Sequence, residues 1–165
     1  MSEDLSPEEY RAQLLQRWKI DEPDLAANRA GVLSEHQKDR LRSGGTVNLV
    51  LGIVLGAGVI ALVLAVGTKP LKPVQYVLST LAFVVCLFLG SFEFRRRRAA
   101  ASAGVVECLT GPINVRMQGR AGWYLWVGGT SFKLPTQGWH LANGLAHHVY
   151  VAPKAKAIVG IEPAS

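Results

Sequence analysis

Two stretches of this chain are almost wholly apolar, and the rest follows helical or strand periods. Thr46 to Val66 reads TVNLVLGIVLGAGVIALVLAV, without a charge. At about 1.5 Å per residue such a helix spans the roughly 30 Å hydrocarbon core of a bilayer. Val74 to Phe94 has the same length, and its one charge, Glu93, stands near the very end. Only Gly67 to Pro73 separates the two runs, so the pattern predicts an antiparallel transmembrane hairpin with helices over 46–66 and 74–94. Pro73 suits a first helical position, where its missing N–H is not needed. A chain of 165 residues has too little other material to wrap two such helices in an aqueous core.

Residues 1–43 are polar and carry two helix starts. In Ser6-Pro7-Glu8-Glu9, Ser6 is the expected N-cap, and Glu9 closes a capping box. The helix that follows presents Tyr10, Leu14 and Trp18 on one face and is expected to end near Asp21-Glu22-Pro23. Ser34 and Gln37 mark the second start, and Ser43-Gly44-Gly45 is expected to break that helix before the membrane. From Gly104 onward the period is two. Candidate strands are 105–109, 113–118, 123–127, 131–134, 147–152 and 157–162, with a short helical turn within 135–143. Ile113, Val115 and Met117 face one way, and Asn114, Arg116 and Gln118 the other. Several short strands in about 60 residues predict a small SH3-like or OB-like β-barrel, because closure buries the apolar face and removes edges. So small a core is marginal alone. The expected fold is an α+β membrane protein in three parts: a cytoplasmic helical segment 1–43, a hairpin 44–98 and a cytoplasmic β-domain 99–165.

Composition agrees with this layout. Apolar residues make up 49% and charged ones 18%, against about 25% charged in soluble proteins, and the excess lies in the two apolar runs. Residues 1–43 hold seven basic and nine acidic side chains, while 74–98 and 99–165 each sum to +3. Lys38, Arg40, Arg42 and Arg95, Arg96, Arg97 and Arg98 flank the outer ends of the hairpin, against Lys69 and Lys72 in its loop. By the positive-inside rule both termini are cytoplasmic, in a multi-pass protein of the plasma (inner) membrane. Arg95–Arg98 is the expected membrane anchor, each cation adding about 1 kcal/mol near anionic headgroups. The opening MSEDLSPEEY lacks the basic start and early apolar stretch of an export signal. Cys86 and Cys108 are expected to be buried free thiols.

Gly52 and Gly56 form a GxxxG pair, continued by Ala57, Ala61 and Ala65 on an adjoining stripe, which lets a helix backbone come close. That partner is either the second helix of the same chain or another subunit. No ionisable residue sits at mid-membrane depth, so an ion pathway is not expected.

The phrase Asn28-Arg29-Ala30-Gly31-Val32-Leu33-Ser34-Glu35-His36-Gln37 resembles the SHOCT-type helix-turn-helix segments beside bacterial membrane anchors. That resemblance implies self-association or docking. Two membrane helices followed by a small cytoplasmic β-domain resemble the NfeD-like layout. The tail Val149-Tyr150-Val151-Ala152-Pro153-Lys154 through Ile161-Glu162-Pro163 is similar to small β-domains of uncharacterised bacterial membrane proteins. These resemblances imply protein interaction or membrane organisation rather than catalysis.

Candidate chemistry is sparse. His147 and His148 are adjacent on a strand and point to opposite faces, so they cannot share a metal. Glu107 and Glu162 are the only carboxylates beyond residue 98; both are expected to be solvent-exposed rather than a paired acid and base. Ser102 and Ser131 lack a nucleophile motif, Cys108 lacks a helix start or basic neighbour, and Gly128-Gly129 is followed by a strand rather than a phosphate-binding helix. No catalytic residue, metal or cofactor is expected. The aromatic concentration, Trp123, Tyr124, Trp126, Phe132, Trp139 and Tyr150, is the one distinctive feature. With Trp123, Leu125 and Val127 inward, either Tyr124 and Trp126 point outward beside Arg116, Arg120 and Lys133, or the curvature of a barrel buries both faces near its ends. Such a surface could take a peptide, the membrane interface or single-stranded nucleic acid; the cations are too few and scattered to favour nucleic acid. The sequence points to a non-enzymatic membrane scaffold or accessory subunit. Its expected partners are anionic lipid and a membrane protein or second copy. The alternative is a membrane-bound sensor or regulator whose β-domain binds a ligand or peptide.

Overall fold

The computed structural model describes residues 6–66, 73–119, 122–134, 141 and 143–164. Four helices are followed by six strands: α1 (Pro7–Trp18), α2 (Glu22–Arg29), α3 (Glu35–Val66), α4 (Pro73–Ala103), β1 (Glu107–Pro112), β2 (Asn114–Met117), β3 (Trp123–Val127), β4 (Thr130–Lys133), β5 (Ala146–Ala152) and β6 (Ala157–Pro163). The chain divides into two units, Met1–Gln37 with Ala103–Ser165, and Lys38–Ser102. The N-terminal helices thus share a unit with the strands instead of forming a part of their own.

In the α+β unit, α1 begins as its residues dictate. Ser6 accepts from the Glu9 amide, and the Glu9 carboxylate accepts from the Ser6 amide. Its apolar stripe then puts Leu14 into the core with Tyr10 and Trp18 packed beside it. The residues expected to end this helix instead start α2. Lys19, in the left-handed conformation, closes α1, and Pro23 lies in the first turn of α2, where a proline needs no amide partner. Ser34 and Gln37 form a second capping box at the start of α3.

The strands form two antiparallel three-stranded sheets, ordered β1-β5-β6 and β2-β3-β4. No ladder joins the two sheets among the described residues, so what stands is a pair of small sheets around one core. That core comprises Ile113, Val115, Leu125, Val127, Phe132, Leu134, Leu141, Val149, Val151 and Ile161, together with Leu14 from α1. Val32 bridges Val105, and the amides of Leu33 and Val106 donate to the carbonyls of Gly104 and Gly31. The backbone after α2 is thereby laid along the chain that enters β1. The short turn expected within 135–143 falls mostly outside the described residues.

In the other unit, α3 and α4 are each long and apolar enough to cross a membrane. Only 11% of the most apolar window of each is buried, whereas the core helix of a soluble protein is mostly buried. The helix expected to break at Ser43-Gly44-Gly45 runs straight through. Both glycines are sites of close approach instead: a Cβ on Gly44 would meet Arg97 Nη1 at 2.7 Å, and one on Gly45 would lie 3.4 Å from the Phe94 backbone. The second helix begins at Pro73, as its sequence predicts, and continues beyond Phe94 through the four arginines to Ala103.

Candidate interaction surfaces

Three groups of residues carry the chemistry that composition singles out, and each is set by a different element. The first is the seam of the helical pair. A Cβ on Gly52 would stand 2.7 Å from the Cys86 carbonyl oxygen, and one on Gly56 would stand 2.6 Å from the Phe83 ring. Gly90, on α4, completes the seam, since its Cβ would meet the Asn48 carbonyl at 2.9 Å. The pairings of 45 with 94, 52 with 86 and 90, and 56 with 83 require antiparallel helices. Gly52 and Gly56 therefore pack against the same chain. Gly90 carries no local signal, since Cys86 and Phe94 rather than a glycine or alanine stand four positions away on its own helix. Ala57, Ala61 and Ala65 lie off this seam and are exposed.

The second group is Arg95–Arg98, presented on a helix rather than on a loop. Glu93 takes ion pairs from Arg96 and Arg97 at 3.4 and 3.7 Å, and the Arg98 guanidinium lies 5.3 Å from the centre of the Phe94 ring. The last turns of α4 thus hold their own cations in place.

The third is the outer face of the sheet β2-β3-β4. Strand register puts Arg116, Tyr124 and Lys133 in one cross-strand row, and Asn114, Trp126 and Ser131 in the next. All six point away from the core, while Val115, Leu125, Val127 and Phe132 point into it. Trp126 keeps 37% of its surface exposed. Arg116 and Lys133 are exposed, and Arg116 Nε donates to Asn114 Oδ1 at 2.9 Å. The four residues picked out as an interaction surface, Tyr124, Trp126, Arg116 and Lys133, are thus brought together on one face. Arg120, Trp139 and His140 fall outside the described residues.

Several expected placements are overturned. Glu162 is buried, with 5% exposure. The Arg29 guanidinium grips both its oxygens, and the Tyr150 hydroxyl donates to it at 2.6 Å. Burial pushes its carboxyl up, but Arg29 and Tyr150 outweigh burial and hold it below the usual carboxylate value. Burial and the same carboxylate push the Tyr150 hydroxyl up. Cys108 is exposed rather than buried, beside Thr110 and His148, and Cys86 is only partly covered. Glu107 is exposed as expected.

Two further polar ties had no local signal. His147, with 0% exposure, lies between the Tyr10 hydroxyl at Nε2 and the Leu145 carbonyl at Nδ1, each at 2.9 Å. The carbonyl can only accept, so Nδ1 carries the proton and Nε2 takes the Tyr10 hydrogen; burial keeps this imidazole below its ordinary pKa. Asp24 is buried against the Ser34 hydroxyl and His36, which outweigh the cost of burial and hold its carboxyl low. Asp21, Asp24 and His36 bring three potential metal ligands within 4.8 Å of one another. Asp24 and His36 already satisfy one another there, tying α2 to the start of α3.

Compared with known proteins, the chain matches no family model, no curated protein and no solved structure.

Proposed function

We propose that this is an integral membrane protein that works as a non-enzymatic scaffold or accessory subunit. In this reading α3 and α4 cross the plasma membrane as a hairpin, both termini are cytoplasmic, and the α+β unit is presented at the cytoplasmic face for contact with a membrane-protein partner or a second copy. The observation that carries it is the exposure of two apolar helices, each long enough to cross a bilayer. Val47, Leu51, Leu62, Leu81, Phe88 and Leu89 are each more than half exposed, so leaving them in water would forfeit about half of the roughly 1.5–3 kcal/mol that full burial of each supplies, whereas in lipid they need no cover. Seven cations at the outer ends of the pair against two in the connecting loop support the sidedness. Among the described residues the two sheets share one cluster of buried apolar side chains, Ile113, Val115, Leu125, Val149 and Ile161 among them, which supports a presented surface and so the scaffold over the sensor. The NfeD-like and SHOCT-like resemblances of the sequence imply the same kind of role.

The test is extraction and co-purification. The expected outcome is that the chain stays with membranes through high-salt and alkaline washes, is released by detergent, and brings a defined protein or second copy with it. Release as a soluble monomer without detergent overturns the membrane reading, and a lone monomer in mild detergent overturns the scaffold.

A further inference from the structure

We infer that the outer face of the β2-β3-β4 sheet docks on the anionic surface of the bilayer, so that the α+β unit is held by lipid headgroups as well as by its tether. This rests on the reading that α3 and α4 span the membrane.

The charge distribution supplies the first argument. From Cys108 to Ile161 the chain has no Asp or Glu, yet it holds Arg116, Arg120, Lys133, Lys154 and Lys156. The carboxylates of this unit come instead from the N-terminal helices and from Glu107 and Glu162; Glu162 is buried under Arg29. The strand segment is thus cationic, and on the β2-β3-β4 sheet Arg116 and Lys133 flank Tyr124 in one row with no acid in the same row, so this face is attracted to a negatively charged plane.

The second argument is the composition of the face itself. Arg116, Tyr124 and Lys133 form one row and Asn114, Trp126 and Ser131 the next. Tyr and Trp have an apolar body and a polar tip, which suits the level of the headgroups, and the long stems of Arg and Lys can lie along them while the charged ends reach phosphate. A single-stranded nucleic acid would also need a continuous cationic track along its backbone, whereas this face offers two cations in one row.

The third argument is reach. Beyond Phe94, α4 continues from Arg95 to Ala103, about 14 Å at the helical rise, and β1 starts at Glu107. The polar layer takes up roughly the first 5–8 Å beyond the hydrocarbon. The chain therefore leaves the helix within about one Debye length of the headgroup plane. Tethering at that distance converts weak attraction of a few residues into a local, effectively intramolecular encounter.

The experiment uses the full chain reconstituted in lipid nanodiscs. An environment-sensitive probe goes on Ser131→Cys in a C86S/C108S background, and a second probe goes on native Cys86 with Cys108 replaced by Ser. In discs of phosphatidylcholine with phosphatidylglycerol, the probe at position 131 is expected to lose about threefold of its accessibility to an aqueous quencher relative to phosphatidylcholine alone. High salt restores most of that accessibility. R116E/K133E should abolish the difference, and its unchanged melting curve would show that the sheet is intact. W126S, which keeps the charges, should weaken the difference without removing its salt dependence. Equal accessibility in both lipids overturns the inference, as does protection that appears only on adding single-stranded nucleic acid or a partner protein. The probe at Cys86 reports separately on the membrane reading. If it stays open to the aqueous quencher in both discs, that reading fails; if it is shielded while position 131 is not, only the docking fails.

Discussion

Arg29, Glu162 and Tyr150 show how much of this protein's packing depends on pairs that no local pattern announces. Arg29 and Glu162 are 133 residues apart, and Tyr10 and His147 are 137 apart. Each group is tied to pH in a determinable direction. Glu162 and Asp24 have folded values below their ordinary 4.5 and 3.8, so their contribution is present above those values and is lost as pH falls through the lower folded ones. His147 lies below its ordinary 6.5, so the unfolded chain takes up that proton first and stability begins to fall once pH drops beneath 6.5. Thermal melts of the detergent-solubilised protein should therefore show decline in two stages, the first removed by H147Q and the second blunted by E162Q. At neutral pH, E162Q should cost about 1–3 kcal/mol, because Arg29 is half-exposed and can turn to water when it loses its partner. Hydrogen exchange at β5 and β6 measures the same change, and a flat profile through pH 4–6.5 in the native chain would contradict it.

At the scale of elements, α1 belongs to the core of the strands. Leu14 is 1% exposed among Ile113, Val149 and Ile161, so L14A should destabilise the unit by about 3 kcal/mol through the cavity it leaves. A fragment starting at Ala103 should remain unfolded by circular dichroism, while the same fragment with residues 1–37 supplied should gain strand signal. The two apolar helices make a separate prediction. Leu at Gly52 or Gly90 must push the seam apart, since a Cβ there already meets a backbone oxygen at under 3 Å, whereas G58L meets nothing within 4 Å. Melting in detergent should fall by about 1–3 kcal/mol for G52L and G90L and stay put for G58L. Capping boxes and the tyrosine-leucine-tryptophan stripe were legible because they are decided within four residues. The second helix has no distinct local signal, because Glu22-Pro23 fits the end of one helix and the first turn of the next equally well. Gly44-Gly45 is equally ambiguous, since a glycine pair can end a helix or, inside a long one, permit close contact.

For the whole molecule, the distribution of arginine and lysine is the testable global property. Changing Arg95–Arg98 to Gln reduces the cations at the outer ends of the pair from seven to three, against two in the loop. A C-terminal reporter should then be divided between both sides of the membrane, where on the native chain it is expected on the cytoplasmic side alone. The presence of two apolar helices, the α+β class, six strands placed within about three residues and the inward set of β3 were all written in the sequence, because hydrophobic period and helix capping are local and read out directly. Even the outer face of β2-β3-β4 was legible, since alternation alone sends Arg116, Tyr124, Trp126 and Lys133 to one side once the register is right. Tertiary structure decided the rest: that the N-terminal helices complete the β-core, that Glu162 is buried, that Cys108 is exposed, and that Gly90 closes the seam with Gly52. Each of these depends on which distant segment supplies the missing apolar surface or counter-charge. A small sheet pair with too little core of its own takes that cover from wherever the chain brings it, and no window of neighbouring residues contains the answer.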